Sequence, residues 1–256
     1  MSDPIRVNVD PTNPGQFFAC CGLLELADRL WPGAEGWFAE DGREFRIACC
    51  GDLRTLIKSI ANAELELMDG GDIYSGRARL QLGEQALVLD WWHELGGKKD
   101  AKDLKVWAGT MESHGIAKAM QNAMKEADFE SAGLFAAGRI VLDSEGKKKE
   151  PYYYDARRAP NAHSRDVGFA PNDLSLTTTA FPAVEFLCLV GLQRCLPVRG
   201  KGRLYDYFTW ATPLAPPLLP IAVAGHVHAS GSRGYRFENW FRTGQKKHKA
   251  IRSAIP

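Results

Sequence analysis

Apolar and polar residues alternate through Ile5-Arg6-Val7-Asn8-Val9, a period of two that predicts a strand, and Asp10-Pro11-Thr12-Asn13-Pro14-Gly15 ends it as a turn. The period then changes. Phe17, Phe18, Cys20, Cys21, Leu24, Ala27 and Leu30 recur at helical spacing until Pro32-Gly33 stops them. Two short strands, Gly36 to Ala39 and Glu44 to Cys49, lead to a second helix capped by Asp52, with Leu53, Leu56, Ile57 and Ile60 on its apolar face. The opening reads β-α-β-β-α, an order that fits half of a ferredoxin-like unit.

Beyond it, Leu80 to Leu82 and Ala86 to Asp90 read as a hairpin around Gly83-Glu84, and a loop carrying Lys98, Lys99, Lys102 and Lys105 follows. Met111, Ile116, Met120 and Met124 mark a helix over 111–126, with the methionines as core packing. Arg139 to Asp143 predicts a strand. From Ser144 to Asp173 charge, Pro and Asn prevail without periodicity; a loop of that length in a compact protein is uncommon and usually functional. Val184, Phe186, Leu187, Leu189, Val190 and Leu192 then define an apolar helix with Pro182 in its first turn, and its glycine, Gly191, suggests close packing. Leu204 to Trp210 and Ile221 to His228 predict strands on either side of a proline-rich connection. The expected fold class is α+β, with residues 1–230 as a single compact domain bearing the 144–173 loop and residues 231–256 as a basic, aromatic C-terminal segment.

Composition keeps this picture within ordinary globular proteins, at 45% hydrophobic and 25% charged residues over 256 positions. No basic n-region runs into an apolar stretch after Met1. The longest apolar run, Leu214 to Ala224, is interrupted by Pro216, Pro217 and Pro220 and falls short of the ~20 residues a bilayer span takes, so a cytoplasmic protein without a membrane partner is expected. Cys20, Cys21, Cys49, Cys50, Cys188 and Cys195 include no C-x-x-C pair and read as reduced, buried thiols rather than a zinc site.

Charge changes the picture more. The formal net charge is +1, yet residues 1–97 carry 8 Lys/Arg against 16 Asp/Glu, whereas residues 98–256 carry 24 against 15. Such a split suggests two faces with different partners. The C-terminal segment holds Arg233, Arg236, Arg242, Lys246, Lys247, Lys249 and Arg252 against a single acid, Glu238, with Tyr235, Phe237, Trp240 and Phe241 interleaved. Cations attract phosphates and rings stack on bases, the combination that single-strand or heteroduplex binding needs. The same rings can serve as core anchors, and the lysines as a solvated face. A second group, Lys147, Lys148 and Lys149 followed by Arg157, Arg158 and Asn161, suits a basic arm: the arginines can grip phosphates or guanine edges and Asn161 can pair with adenine. The alternative there is a structural pair between one arginine and Asp155 or Asp166.

Catalytic signatures are weak. A metal-dependent nuclease would draw on Asp155, His163, Asp166, His226 and His228; His226-Val227-His228 would point two rings from one face of a strand, but spacing fixes no third ligand. His93-Glu94 fails the H-E-x-x-H pattern, and neither Gly200-Lys201-Gly202 nor Gly231 to Gly234 has Walker or Rossmann spacing, so no ATP, NAD or other small-molecule cofactor is expected.

The stretch from Asn8 to Leu23, NVDPTNPGQFFACCGL, resembles the start of a Csb-type CRISPR-associated family of type I-U (I-G) loci, and so do the strings Tyr153 to Arg158, Arg165 to Phe169, Leu189 to Arg194 and Tyr207 to Trp210. This resemblance spans most of the chain. It implies a non-catalytic, large-subunit-like or accessory subunit of a Cascade-type ribonucleoprotein complex in antiviral defence, with CRISPR RNA, target DNA and other effector subunits as partners. In such systems base pairing reads the target, and protein contacts read backbone shape and a short protospacer-adjacent motif. The 147–161 arm would then face double-stranded DNA near that motif and the C-terminal segment the backbone of RNA or single-stranded DNA. A nuclease of the same system and a purely structural connector are the alternatives.

Overall fold

Asn13 sets the start of the first helix: its side chain accepts the Gly15 amide at 3.1 Å, and Pro14 brings a φ already suited to a first turn. This helix, α1 (Pro14–Leu30), is buried from Pro14 through Ala27, so it forms the axis of the core rather than a surface layer. The computed structural model describes residues 3–68, 73–74, 76–93, 104–107, 111–158, 179–227, 231–241 and 249–256.

Strands β1 (Ile5–Asn8), β2 (Glu35–Phe38) and β3 (Glu44–Ala48) form an antiparallel sheet in the order β1-β3-β2, followed by α2 (Leu53–Asn62), where Asp52 accepts the Thr55 amide at 2.9 Å. The β-α-β-β-α opening is therefore present, and its strand order is that of a split β-α-β unit. The next strand does not return to the free edge of β1, as a complete ferredoxin-like unit would require. Instead β4 (Glu64–Leu67) pairs with β5 (Ala78–Leu82), which pairs with β6 (Gln85–Leu89) across the Gly83-Glu84 turn, where Gly83 takes a φ of 59°.

Helices α3 (Ser113–Met124) and α4 (Pro182–Gly191) complete the helical layer. Backbone packs on backbone where α1 crosses α4: a β-carbon on Gly22 would lie 2.1 Å from the Leu187 oxygen, and one on Gly191 would lie 1.9 Å from the Phe18 oxygen. The third sheet runs β10-β9-β8-β7, from β7 (Val198–Arg199), β8 (Leu204–Phe208), β9 (Gly234–Phe241) and β10 (Lys249–Ile251), all antiparallel. Its inward residues Tyr205, Tyr207, Tyr235 and Phe237 are buried, and the Tyr207 ring centroid lies 4.3 Å from that of Phe17 on α1. Trp210 donates its indole N–H to the Gly36 oxygen at 2.8 Å, joining this sheet to β2. A mixed α+β architecture results, with α1 shared by the layers. Among the described residues no helix is long and apolar enough to cross a membrane.

Four local expectations differ from what is observed. Ile221 to Val227 is not a strand: Leu219–Val223 is one helical turn, because Pro220 has a fixed φ and no amide to give a ladder. Arg139 to Asp143 makes only isolated bridges, Arg139 to Ala180 and Leu142 to Lys148. The 144–158 part of the expected loop is no free arm, since residues 151–156 are buried; positions 159–173 lie outside the described residues. Within 231–256, two segments are strands of the third sheet rather than an appended tail.

Candidate nucleic-acid interface

The segment 152–158 is built into a polar knot at the start of α1 and α4. Asp155, fully buried, accepts the Asn13 side-chain amide at 2.9 Å, and Asn13 in turn accepts the Ala156 amide at 3.0 Å. Glu185, in the first turn of α4, accepts the Tyr154 and Asp155 amides at 3.1 Å each. A β-carbon on Gly15 would lie 2.4 Å from the Tyr154 oxygen, so the knot closes only over glycine there. Burial pushes the Glu185 carboxyl up to about 7, and the Asp155 charge adds to this, opposed by the two amides and by the Arg158 charge. Tyr153 carries a left-handed φ of 74°, rare for a bulky residue and held by three partners: Ile251 donates to its oxygen at 3.1 Å, its hydroxyl donates to Glu150, and Arg158 lies over its ring.

The two arginines of the knot differ. Arg157 spans Asp155 with Nε and Nη2 at 2.9 and 2.6 Å, donates to the Phe135 oxygen at 2.6 Å, and stacks 3.4 Å from the Phe181 ring centroid. That is the structural pairing weighed as the alternative. Arg158 is only 3% exposed, its guanidinium carbon 5.5 Å from the Tyr153 ring centroid. Lys147 is exposed and pairs with Glu145 at 2.6 Å, Lys148 is exposed, and Lys149 reaches Glu112 at 3.3 Å. Asn161 lies outside the described residues.

On the third sheet, Tyr235 and Phe237 face the core while Arg236, Glu238 and Trp240 occupy the outer face. Arg236 spans Asp206 at 2.7 and 2.9 Å, and that carboxylate holds the guanidinium more firmly charged. Glu238 is shared: Arg203 and Arg252 each donate to it at 3.2 Å, leaving the trio one positive charge in excess. Arg252 lies 4.0 Å over the Trp240 ring, while Arg203 and Lys249 lie 4.9 and 5.7 Å over Phe241. Arg233, exposed, donates to the backbone oxygens of Glu40 and Asp41 at 2.8 and 3.2 Å. Arg242, Lys246 and Lys247 lie outside the described residues.

The two basic regions meet. Ile251 of β10 donates to Tyr153, and Tyr153 packs on Ala250, so the knot and the cationic, aromatic edge of the third sheet are joined through buried residues. No protein-family model, curated protein or solved structure matches the chain. Geometry and the sequence strings therefore carry the functional reading. Several of those strings act as pegs: Asn13 meets Asp155, Gln193 accepts the Asp90 and Trp91 amides at 2.9 and 3.1 Å, and Arg194 pairs with buried Glu25. No local sequence pattern marks Glu185 or Arg203 as members of this site. Only Asn13 announced itself, as a cap residue before Pro-Gly.

Of the nuclease candidates, Asp155 is occupied by Arg157 and Asn13, His226 is exposed and off any strand, and His163, Asp166 and His228 lie outside the described residues. Among the described residues no three of His, Cys, Asp and Glu converge as metal ligands. None of the six cysteines is in a disulfide; Cys20, Cys21, Cys188 and Cys195 are buried, Cys49 is half-buried and Cys50 is exposed, and burial raises Cys20, Cys21, Cys49 and Cys188.

Proposed function

We propose that this chain is a cytoplasmic, non-catalytic subunit of a type I-U CRISPR effector complex that contacts CRISPR RNA or target DNA through the outer face of β9 and β10 and the accessible side chains of the adjoining 147–158 segment. The observation that carries the reading is the Ile251 to Tyr153 hydrogen bond, with Ala250 against the Tyr153 ring. It brings two segments, each basic and aromatic, next to one another, and phosphate contacts plus ring contacts are what backbone-tracking proteins use. The left-handed Tyr153 at the junction fits this, since strain of that kind collects at functional sites. An acidic first part of the chain is suited to docking on a neighbouring subunit.

Expression with the remaining proteins of its locus and a CRISPR RNA, followed by purification through another subunit, tests the assignment. The chain should co-purify with the RNA-containing particle; its consistent absence from the particle refutes subunit membership. A structural connector is the second reading, favoured by Arg157, Arg236 and Arg252 being already paired with carboxylates. It predicts assembly that is insensitive to salt and needs no nucleic acid.

A further inference from the structure

Two arginines show how this chain satisfies a guanidinium. Arg157 turns Nε and Nη2 to Asp155 at 2.9 and 2.6 Å, and Arg236 turns the same edge to Asp206 at 2.7 and 2.9 Å. In both, two parallel N–H groups meet the two oxygens of one oxyanion. Arg158 holds the same two atoms, Nε and Nη2, buried and with no hydrogen-bond acceptor among the described residues. The carboxylates nearby are engaged elsewhere. Asp155 is taken by Arg157 and Asn13, and the Glu185 oxygens accept the Tyr154 and Asp155 amides rather than the Arg158 guanidinium. A guanidinium taken out of water without an acceptor is costly, and buried donors are nearly always satisfied, so a paired set of unsatisfied donors suits a ligand that supplies two oxygens.

We propose that Arg158 is a bidentate receptor for phosphate, its Nε and Nη2 gripping two oxygens of one phosphate group. The surroundings favour a phosphate of a polyanion. The strand bonded to Tyr153 is bracketed by Lys249 and Arg252. The source of that phosphate, a nucleic-acid backbone, rests on the function proposed above; the receptor itself rests on Arg158. Because the guanidinium is closed off from solvent, entry requires a local opening beside the 3-10 turn Ala156–Arg158, and each hydrogen bond made there counts for more than it would in water.

The arginine Nε–H signals of the 15N-labelled full chain, followed by NMR, report on this directly. Inorganic phosphate, a mononucleotide, a single-stranded oligonucleotide and a DNA duplex are titrated separately. The Arg158 signal, identified by its loss in Arg158→Lys, should shift and become protected from exchange with phosphate. The oligonucleotide or duplex should do the same at lower concentration, while the Arg157 and Arg236 signals stay in place. Arg158→Lys keeps the charge and loses the fork, and should bind both inorganic phosphate and oligonucleotide about tenfold more weakly. If that variant does not fold, the wild-type titration decides alone, by whether a newly protected Nε–H appears. A signal that ignores every ligand, or one already protected in the ligand-free chain and unmoved afterwards, overturns the receptor. Should oligonucleotide bind with the Arg158 signal still, the receptor falls and the nucleic-acid reading stands. Should inorganic phosphate move the signal and no nucleic acid do so, the receptor stands and the nucleic-acid reading falls.

Discussion

Burial raises the Glu185 carboxyl from an ordinary 4.5 to about 7, and Asp155 adds to the shift. Between those values the folded chain keeps a proton that the unfolded chain has released, so the unfolded state binds fewer protons and stability falls as pH rises. The contribution is full below pH 4.5, declines through the window and is flat above about 7, for a total on the order of 3 kcal/mol. Glu185→Gln cannot ionise. The unfolding free energy of the variant minus that of the wild type, from urea titrations, should therefore rise with pH from 4.5 to 7; a pH-independent difference would show that Glu185 is ionised throughout. Arg157 gives a second expectation at this scale. Arg157→Ala leaves a fully buried Asp155 with only the Asn13 side chain and the residue-157 amide, and should cost at most about 3 kcal/mol, because the arginine itself is partly exposed. The urea midpoint measures it, and an unchanged midpoint would mean that Arg157 is held for a ligand rather than for Asp155.

Among elements, the crossing of α1 and α4 admits no side chain at its closest point. Gly22→Ala places a β-carbon 2.1 Å from the Leu187 oxygen, so the helices must separate; a destabilisation of about 1–3 kcal/mol or more is expected in chemical denaturation, and an unaltered midpoint would contradict this packing. The sequence disclosed one side of this crossing, Gly191, because a glycine inside an apolar helix is conspicuous. Gly22 went unmarked, since its neighbours made the helix convincing without it. Where local chemistry decides an element, reading succeeded: Asp52 caps α2 and Gly83 turns the β5–β6 hairpin. Where two signals compete, it did not. Ile221, Val223 and Val227 alternate like a strand, but Pro220 opens a helical turn; Tyr235, Phe237 and Asn239 also alternate, and the surrounding charge masked the strand they form. The segment joining β9 to β10 carries Lys246 and Lys247. Replacing both with Ala should weaken binding about equally for all sequences and lower the log–log salt slope by roughly 0.7–0.9 for each phosphate that is no longer neutralised. Sequence-dependent weakening by that double variant would assign it base reading instead.

At the scale of the molecule, the contrast between an acidic first part and a basic remainder was plain in the sequence, but the joining of the two basic regions was not. That junction depends on Ile251 reaching Tyr153 and on Asn13 reaching Asp155, pairings between residues far apart in the chain that no local pattern encodes. The same pairings explain why a segment rich in Lys and Arg is less free than it reads: Asp155, Asp206 and Glu238 each hold an arginine, so those arginines have less charge to offer a phosphate. Binding should accordingly be strongly salt-dependent and modest for the isolated chain, and tighter within an assembly that orients the face. Photo-crosslinking of the assembled particle, with nucleotide adducts mapped by mass spectrometry, tests the central claim most directly. Adducts are predicted on peptides containing Tyr153 to Arg158 and on those containing Trp240 to Arg252. A particle that contains this chain and carries adducts on its other subunits, yet none on this one, would contradict a nucleic-acid-contacting role.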